Sequence, residues 1–309
     1  MRNHDTSSEP GPPPADYVAC VNRAIDHVVT GLDRPLRLDD LAGVAGFSPF
    51  HFHRIFGAIV GETPAQFVTR LRLERALTLM ARRPARSLTQ IALECGFSSS
   101  SDFSRSFKKR YGRPPSSFDT AGASAEKRAE LDRLVETGTG GRPIERLPPG
   151  ENPDGFIAEL VDLPARRLAY RRVLDPYRPD AVTGAAAALV AWAEERGLAG
   201  GSWYGYIWDD PDVVALKDCR YDVAVEAGDA PVAGEVGAAE FPPMRVAQVT
   251  VRGGIELEMR ALDWLYRTWL PGSGFVPDDL PCFEAWIGRP FAHGTEHFEL
   301  HVQIPIRRG

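Results

Sequence analysis

Apolar residues recur at helical spacing over residues 17–119, and beyond residue 156 that rhythm gives way to short alternating runs. Tyr17–Val29 predicts a packing helix, and Leu36–Gly46 a short helix with Asp39 and Asp40 in its first turn, where the helix dipole favours carboxylates. Ser48 then stands as an N-cap before Pro49, and a helix runs to about Ala58. Thr63–Arg82 predicts a long helix that opens on a Thr-Pro-x-Gln cap and ends before Pro84. Within Gly96–Pro115 another helix carries Phe103 and Phe107 at i, i+4, holds Arg105 off that stripe and ends on Lys108, Lys109 and Arg110. Gly112 and Pro114–Pro115 stop it.

Two of these stretches are copies. Leu41, Ala42, Ala45, Gly46, Phe47 and Ser48 recur as Ile91, Ala92, Cys95, Gly96, Phe97 and Ser98. Past the turn the offset grows by one residue, so that Phe52, Arg54, Phe56, Gly61, Pro64 and Phe67 recur as Phe103, Arg105, Phe107, Gly112, Pro115 and Phe118. The pattern is a duplicated helix-turn-helix with one residue inserted in the second turn, within the serine run. The long helix between the copies would hold two readers apart, and DNA requires about 34 Å between successive major-groove segments on one face.

The second half alternates differently. Phe156–Leu163, Arg167–Leu174, Trp203–Trp208 and Arg220–Glu226 predict strands around an Ala-rich helix at 180–197. The order then repeats, with strands near Val236–Phe241, Val246–Arg252, Cys282–Ile287 and His297–Ile306 around a helix at Glu256–Leu270. The expected architecture is an all-α N-terminal domain with two helix-turn-helix motifs joined by a long helix, then an α+β domain built from a duplicated ββαββ-like unit with a central groove. The boundaries that follow are a disordered arm over 1–16, a helical domain over 17–120, a linker with a short helix over 121–155 and the α+β domain over 156–309. The short helix is read at Glu126–Glu136. Thr137–Gly155, rich in Gly and Pro, is read as a linker that lets the domains move.

Charge changes the picture. The net charge of −6 hides an asymmetry: residues 1–150 hold 21 Lys/Arg and 17 Asp/Glu, net +4, whereas residues 151–309 hold 15 and 25, net −10. A basic half beside an acidic half suggests a polyanion reader joined to something else. The four cysteines are scattered without a CxxC, which excludes a zinc finger and fits a reducing compartment. The longest apolar run, near Ala185–Ala193, is too short to span a bilayer, so the expectation is a cytoplasmic protein with no membrane partner.

The paired GFS turns, the R-x-F of Arg54–Phe56 and Arg105–Phe107, the linking helix and the closing RYGRPPSSF make residues 17–119 resemble the AraC/XylS-type DNA-binding domain. The resemblance implies base reading from positions matching Phe50, His53 and Arg54 in the first unit, and Ser100, Ser101, Asp102 and Arg105 in the second. Lys108 and Lys109 join them as candidate contacts to double-stranded DNA. Arg54 and Arg105 lead, because Arg can bond guanine O6 and N7 together. Asp102 either accepts from a cytosine amino group or serves as an acid near a helix N-terminus. The serines suit phosphate or water contacts.

AELVDLPARRLAYRR, the DDPDV of Asp209–Val213, CRYD at Cys219–Asp222, ALDWLYRTWLPGSG and CFEAW at Cys282–Trp286 make the second half resemble the GyrI-like effector-binding domain. Ile255 departs from that pattern, where an aromatic is common. The resemblance places Glu284 at the base of an aromatic pocket for a small cationic or amphipathic effector. A carboxylate in an apolar cleft lacks a partner that a cation supplies, and aromatic faces add cation–π attraction. Tyr177, Tyr204, Tyr206, Trp208, Trp264 and Trp286 are the candidate walls. His293, His297 and His301 raise a metal reading, but His293 lies in a Gly-flanked loop and a terminal strand's solvent face accounts for the other two, and neither metal nor cofactor is expected.

The function expected is a transcription regulator, not an enzyme, with DNA, a small effector and RNA polymerase as partners. The alternative is a DNA-tethered hydrolase using Glu284 as general base.

Overall fold

The computed structural model describes residues 15–82, 86–138 and 147–309. The arm expected over 1–16 lies outside them, apart from Ala15 and Asp16, and so do residues 139–146 of the expected linker.

Seven helices form the N-terminal half: α1 (Ala15–Thr30), α2 (Leu38–Ala45), α3 (Pro49–Val60), α4 (Pro64–Arg82), α5 (Leu88–Glu94), α6 (Ser100–Tyr111) and α7 (Thr120–Gly138). Local chemistry sets their ends. Ser48 caps α3 by accepting from the His51 amide, and Ser99 caps α6 by accepting from Asp102 at 3.1 Å. The caps are 51 residues apart whereas the turn glycines, Gly46 and Gly96, are 50 apart, which places the extra residue between Gly96 and Ser99. Thr63 and Gln66 form a reciprocal capping box at the start of α4, and Ser87 and Gln90 do so at α5. Gly96 is required twice over. Its φ is +81°, and an added Cβ would sit 2.1 Å from the Leu32 carbonyl oxygen.

Each unit has its own core. Val21, Ile25, Leu41, Phe52, Phe56, Phe67, Val68 and Leu71 form the first. Leu73, Ala76, Leu77, Ile91, Phe97, Phe103 and Phe107 form the second. One end of α4 is thus built into each core, and rotating one unit against the other would have to break the helix or a core. Arg70 of α4 is interior, and Arg72 is half-buried. Arg70 is buried against Glu62 and Glu74, and Arg72 donates to the carbonyls of Leu32 and Arg34. Arg70 satisfies the buried Glu74 carboxylate, and Arg72 the part-buried Leu32 carbonyl.

The second half is one antiparallel sheet of β1 (Glu159–Leu163), β2 (Arg166–Leu174), β3 (Trp203–Ile207), β4 (Arg220–Glu226), β5 (Gly237–Phe241), β6 (Met244–Gly253), β7 (Phe275–Pro277), β8 (Cys282–Trp286) and β9 (Phe298–Arg308). Its order is β1-β6-β9-β8-β3-β4-β2-β5, with β7 paired to the end of β9. The three-residue β7, ending on Pro277, escaped the sequence reading because a short proline-bearing edge strand has no alternation to detect. Helix α8 (Ala181–Glu194) packs on β2 and β4. Helix α9 (Ile255–Trp264), continued by a π-helical turn over Leu265–Trp269, packs on β6 and β9. The central strands β3 and β8 lie between the two helices.

The segment expected to be a free linker is tied down where it is described. Helix α7 extends well beyond the predicted Glu126–Glu136, and its Leu131 packs with Leu216 and Met259. Leu147 is buried with Phe156 and Trp264, and Asp154 pairs with Arg260 of α9 at 2.8 Å. A Gly- and Pro-rich composition reports chain flexibility before docking, not the partners the docked chain finds.

Phe56 and Phe107 occupy equivalent places in the two helical cores. Each Phe→Ala change is expected to cost about 3–5 kcal/mol, read as a fall in the denaturant midpoint of the helical half. Equal losses would fit the duplication; a neutral Phe107→Ala would contradict the second core.

Candidate functional site

The predicted DNA-reading residues lie on the helix faces away from the cores. On α3, Phe50 is 67% exposed and His53 and Arg54 are exposed beside it, with the Arg54 guanidinium 5.9 Å from the Phe50 ring centre. On α6, Ser101, Arg105, Lys108 and Lys109 are exposed and Ser100 and Asp102 half-buried. Of Asp102's two readings the structure supplies contacts for the second. It accepts from the Ser98 hydroxyl at 3.1 Å, and its carboxylate is 3.8 Å from Arg105.

The candidate effector residues divide between the two faces of the sheet. Side chains alternate along a strand, and Glu284 and Trp286 of β8 point toward α8 and α9 with Trp203, Gly205 and Ile207 of β3. Tyr204, Tyr206 and Trp208 therefore point to the opposite face, and they cannot wall a pocket over Glu284. Their partners are on that face. Tyr206 Oη accepts from Arg166 at 3.1 Å, the Arg166 guanidinium stacks 4.8 Å from the rings of Tyr204 and Phe283, and Trp208 Nε1 donates to Asp222 at 2.7 Å. Trp264, the last residue of α9, packs against Phe156, ring centres 5.9 Å apart, as part of the core. Tyr177 packs with Ile255 and Met259 of α9 and Leu131 of α7.

Three residues the sequence reading missed complete the site. Tyr221 of β4 donates to Glu284 Oε2 at 2.5 Å. Gly205 opposes Glu284 across the β3–β8 pair and leaves the room for this bond; a Cβ there would fall 1.8 Å from Tyr221 Oη and 2.5 Å from Glu284 Oε2. Glu258 of α9 is buried against Glu284 through a carboxyl–carboxyl contact. Signals for two of them were present: a glycine inside the aromatic strand WYGYI marks a close approach, and Glu258 lies three residues after Ile255 and three before Ala261 on an otherwise apolar helix face.

Burial dominates the electrostatics. It pushes the Glu284 carboxyl up to about 7, against the opposing influence of Tyr221, Glu258 and Trp286. Burial and the neighbouring Glu284 push Glu258 well above the ordinary carboxyl range. Two buried carboxyls in contact cannot both be ionised without a counter-charge, so the pair holds a proton at neutral pH. Burial and Glu284 also keep the Tyr221 hydroxyl protonated and able to donate. The indole Nε1 of Trp286 is buried without a hydrogen bond of good geometry. Trp286 and Phe291, 4.9 Å apart, pack against both the α8 and the α9 core. Among the described residues no group of three or more His, Cys, Asp and Glu could hold a metal ion, and no helix is long and apolar enough to cross a membrane.

Because the folded state holds Glu284's proton more tightly than the unfolded chain, its contribution to stability is full below about pH 4.5 and is lost as pH rises through about 7. Denaturant unfolding at a series of pH values should give a steeper decline over this window for the wild type than for Glu284→Gln. Parallel curves would contradict the assignment.

Two family models match the chain. A helix-turn-helix domain model covers residues 41–121, and a model described as a GyrI-like small molecule binding domain covers residues 158–307. The probable transcriptional regulator LumQ of Photobacterium leiognathi is 36% identical over 93 residues, 30% of this chain and 37% of that protein. A DNA gyrase inhibitor of Serratia proteamaculans is 29% identical over 159 residues, 50% of this chain and all of that protein. A solved AraC-type regulator from Chromobacterium violaceum is 31% identical, covering 31% of this chain and 86% of that one, with a TM-score of 0.30. The chain spans about a third of the length of the regulators it matches through its helical half. Neither model nor the names of these relatives supports the hydrolase alternative. The chain joins an AraC-type helix-turn-helix domain to a GyrI-like domain, the build of an AraC-family regulator with a GyrI-like effector domain.

Proposed function

We propose that this chain is a sequence-specific DNA-binding transcription regulator whose C-terminal domain binds a small cationic or amphipathic aromatic effector. The observation that carries the effector half is the buried Glu284–Glu258 pair, on which no Lys or Arg acts among the described residues. A cation entering between α8 and α9 would take the place of the shared proton, with Trp286, Phe291 and Tyr177 as the apolar surround. The strand order supports reading the sheet as two copies of one unit: β2, β3 and β4 of the first take the places that β6, β8 and β9 take in the second, and each copy lends an edge strand to the other. The cleft between α8 and α9 then lies on a pseudo-twofold axis. In the DNA-binding half, the reader helices keep Phe52, Phe56, Phe103 and Phe107 inside and most of their candidate base contacts outside, at a separation held by α4. RNA polymerase completes the partners of this reading, and the cytoplasm is its location.

Selection of duplexes from a random library by the full chain should return one asymmetric site, since the two readers present unlike residues. Arg105→Ala should weaken binding by about 1–3 kcal/mol and relax preference in one half only. An unchanged preference would remove Arg105 from the base-reading set.

Titration with tetraphenylphosphonium, followed by tryptophan fluorescence, should detect binding to the wild type that Glu284→Gln abolishes. Affinity should rise with pH through about 7, because the cation competes with the shared proton. Binding that survives Glu284→Gln unchanged would place the effector elsewhere.

A further inference from the structure

The two halves of the chain meet through charge. In the segment between β3 and β4, Asp212 pairs with Arg128 of α7, and Asp218 accepts from Arg110 of α6 at 2.8 Å. The Asp218 carbonyl accepts from Arg70 of α4 at 3.4 Å, and Val213 packs against the second helical core. On the back face of the sheet, Tyr170 Oη donates to Asp26 of α1 at 2.6 Å, and Arg172 Nη1 lies 2.9 Å from the same carboxylate. Arg172 is held in turn by Asp222 through bonds of 2.9 and 2.6 Å, and Trp208 braces Asp222. The Arg172 and Asp222 side chains are 2% and 3% exposed, whereas Asp26 is 32% exposed. The buried pair is therefore part of the sheet, and Asp26 is the member that can leave. A cavity of about 250 Å³ lies open in the same junction, lined by Glu62, Arg70, Arg110, Asp218 and Arg220. A polar, charge-paired contact of this kind suits domains that dock reversibly.

One strand touches both sites. Tyr221 of β4 bonds to Glu284 on the helix face, and the next residue, Asp222, bonds to Arg172 on the back face. We propose that β4 couples the effector cleft to the DNA-binding half: Asp26 latches onto Tyr170 and Arg172, and an effector engaging Glu284 draws on Tyr221 and loosens that latch. The latch stands on its own contacts; its control by an effector rests on the function proposed above. A cation on Glu284 changes what the Tyr221 hydroxyl donates to. Any shift of Tyr221 carries the backbone of Asp222 with it, and with that the geometry of a fully buried ion pair, which tolerates little change. Through Met259, the neighbour of Glu258, α9 also presses on Leu131 of α7, a second contact leading from the cleft to the helical half.

The test uses the full chain. Asp26→Ala with Tyr170→Phe removes the latch contacts on Asp26 and leaves the proposed DNA face and the cleft intact. Hydrogen–deuterium exchange of α1 amides reads the latch without DNA. The double variant should exchange faster in α1 and in residues 212–222. In the wild-type chain, saturating tetraphenylphosphonium should speed the same α1 amides, and Glu284→Gln should alter their exchange without it. Linkage is reciprocal, so the double variant should bind tetraphenylphosphonium about fivefold more tightly than the wild type. Unchanged α1 exchange in the double variant would overturn the latch. Unchanged α1 exchange in both Glu284→Gln and the tetraphenylphosphonium complex would overturn the coupling. If the wild type binds no tetraphenylphosphonium, the effector reading fails, and Glu284→Gln alone then decides the coupling.

Discussion

A carboxyl group at the centre of a sheet must keep its proton or find a positive charge, and much of the C-terminal half is arranged around that constraint. Glu284 sits on a central strand with Tyr221 donating to it and Glu258 pressed against it from α9. Gly205 is there because no other residue would leave room for the Tyr221 hydroxyl. The two helices stand apart over the outer strands, so the carboxyl pair lies between them. Such a pair costs stability, since an apolar replacement of similar volume would be cheaper.

The helical half was legible because its signals are local. Caps, turn glycines and the phenylalanine stripes lie within a few residues of what they determine, and the duplication let each copy check the other. Even the inserted residue was visible, and the structure assigns it to the turn before Ser99. The α+β half was legible as elements and illegible as a site. The resemblance to an aromatic effector pocket grouped Tyr204, Tyr206 and Trp208 with Glu284 by residue type, but the pleat sends them to the other face. Glu258 and Tyr221 were missed because their meaning depends on a helix and two strands that come together only in the fold. The same holds for Asp26, an ordinary acid on α1 until Arg172 arrives from a point 146 residues later.

The opposite charges of the two halves take on a structural meaning at the junction. Part of the basic excess of the first half is spent on the acidic segment that includes Asp212 and Asp218. Arg110, at the basic end of a candidate reader helix, faces the second half rather than open solvent alone. A basic run at a helix end is therefore poor evidence for a phosphate contact until its partners are known.

Helix α4 has a consequence for how such a protein could change its target. Because the helix is anchored in both cores, it works as a ruler whose length and phase are locked together. Adding one residue would lengthen it by about 1.5 Å and also swing the second unit round by about 100°. No small insertion can adjust the spacing of the readers and keep both facing the same way. On the function proposed above, a new spacing would be met by the duplex, through bending or twisting, and the stiffness of the DNA between the half-sites would become part of what is read.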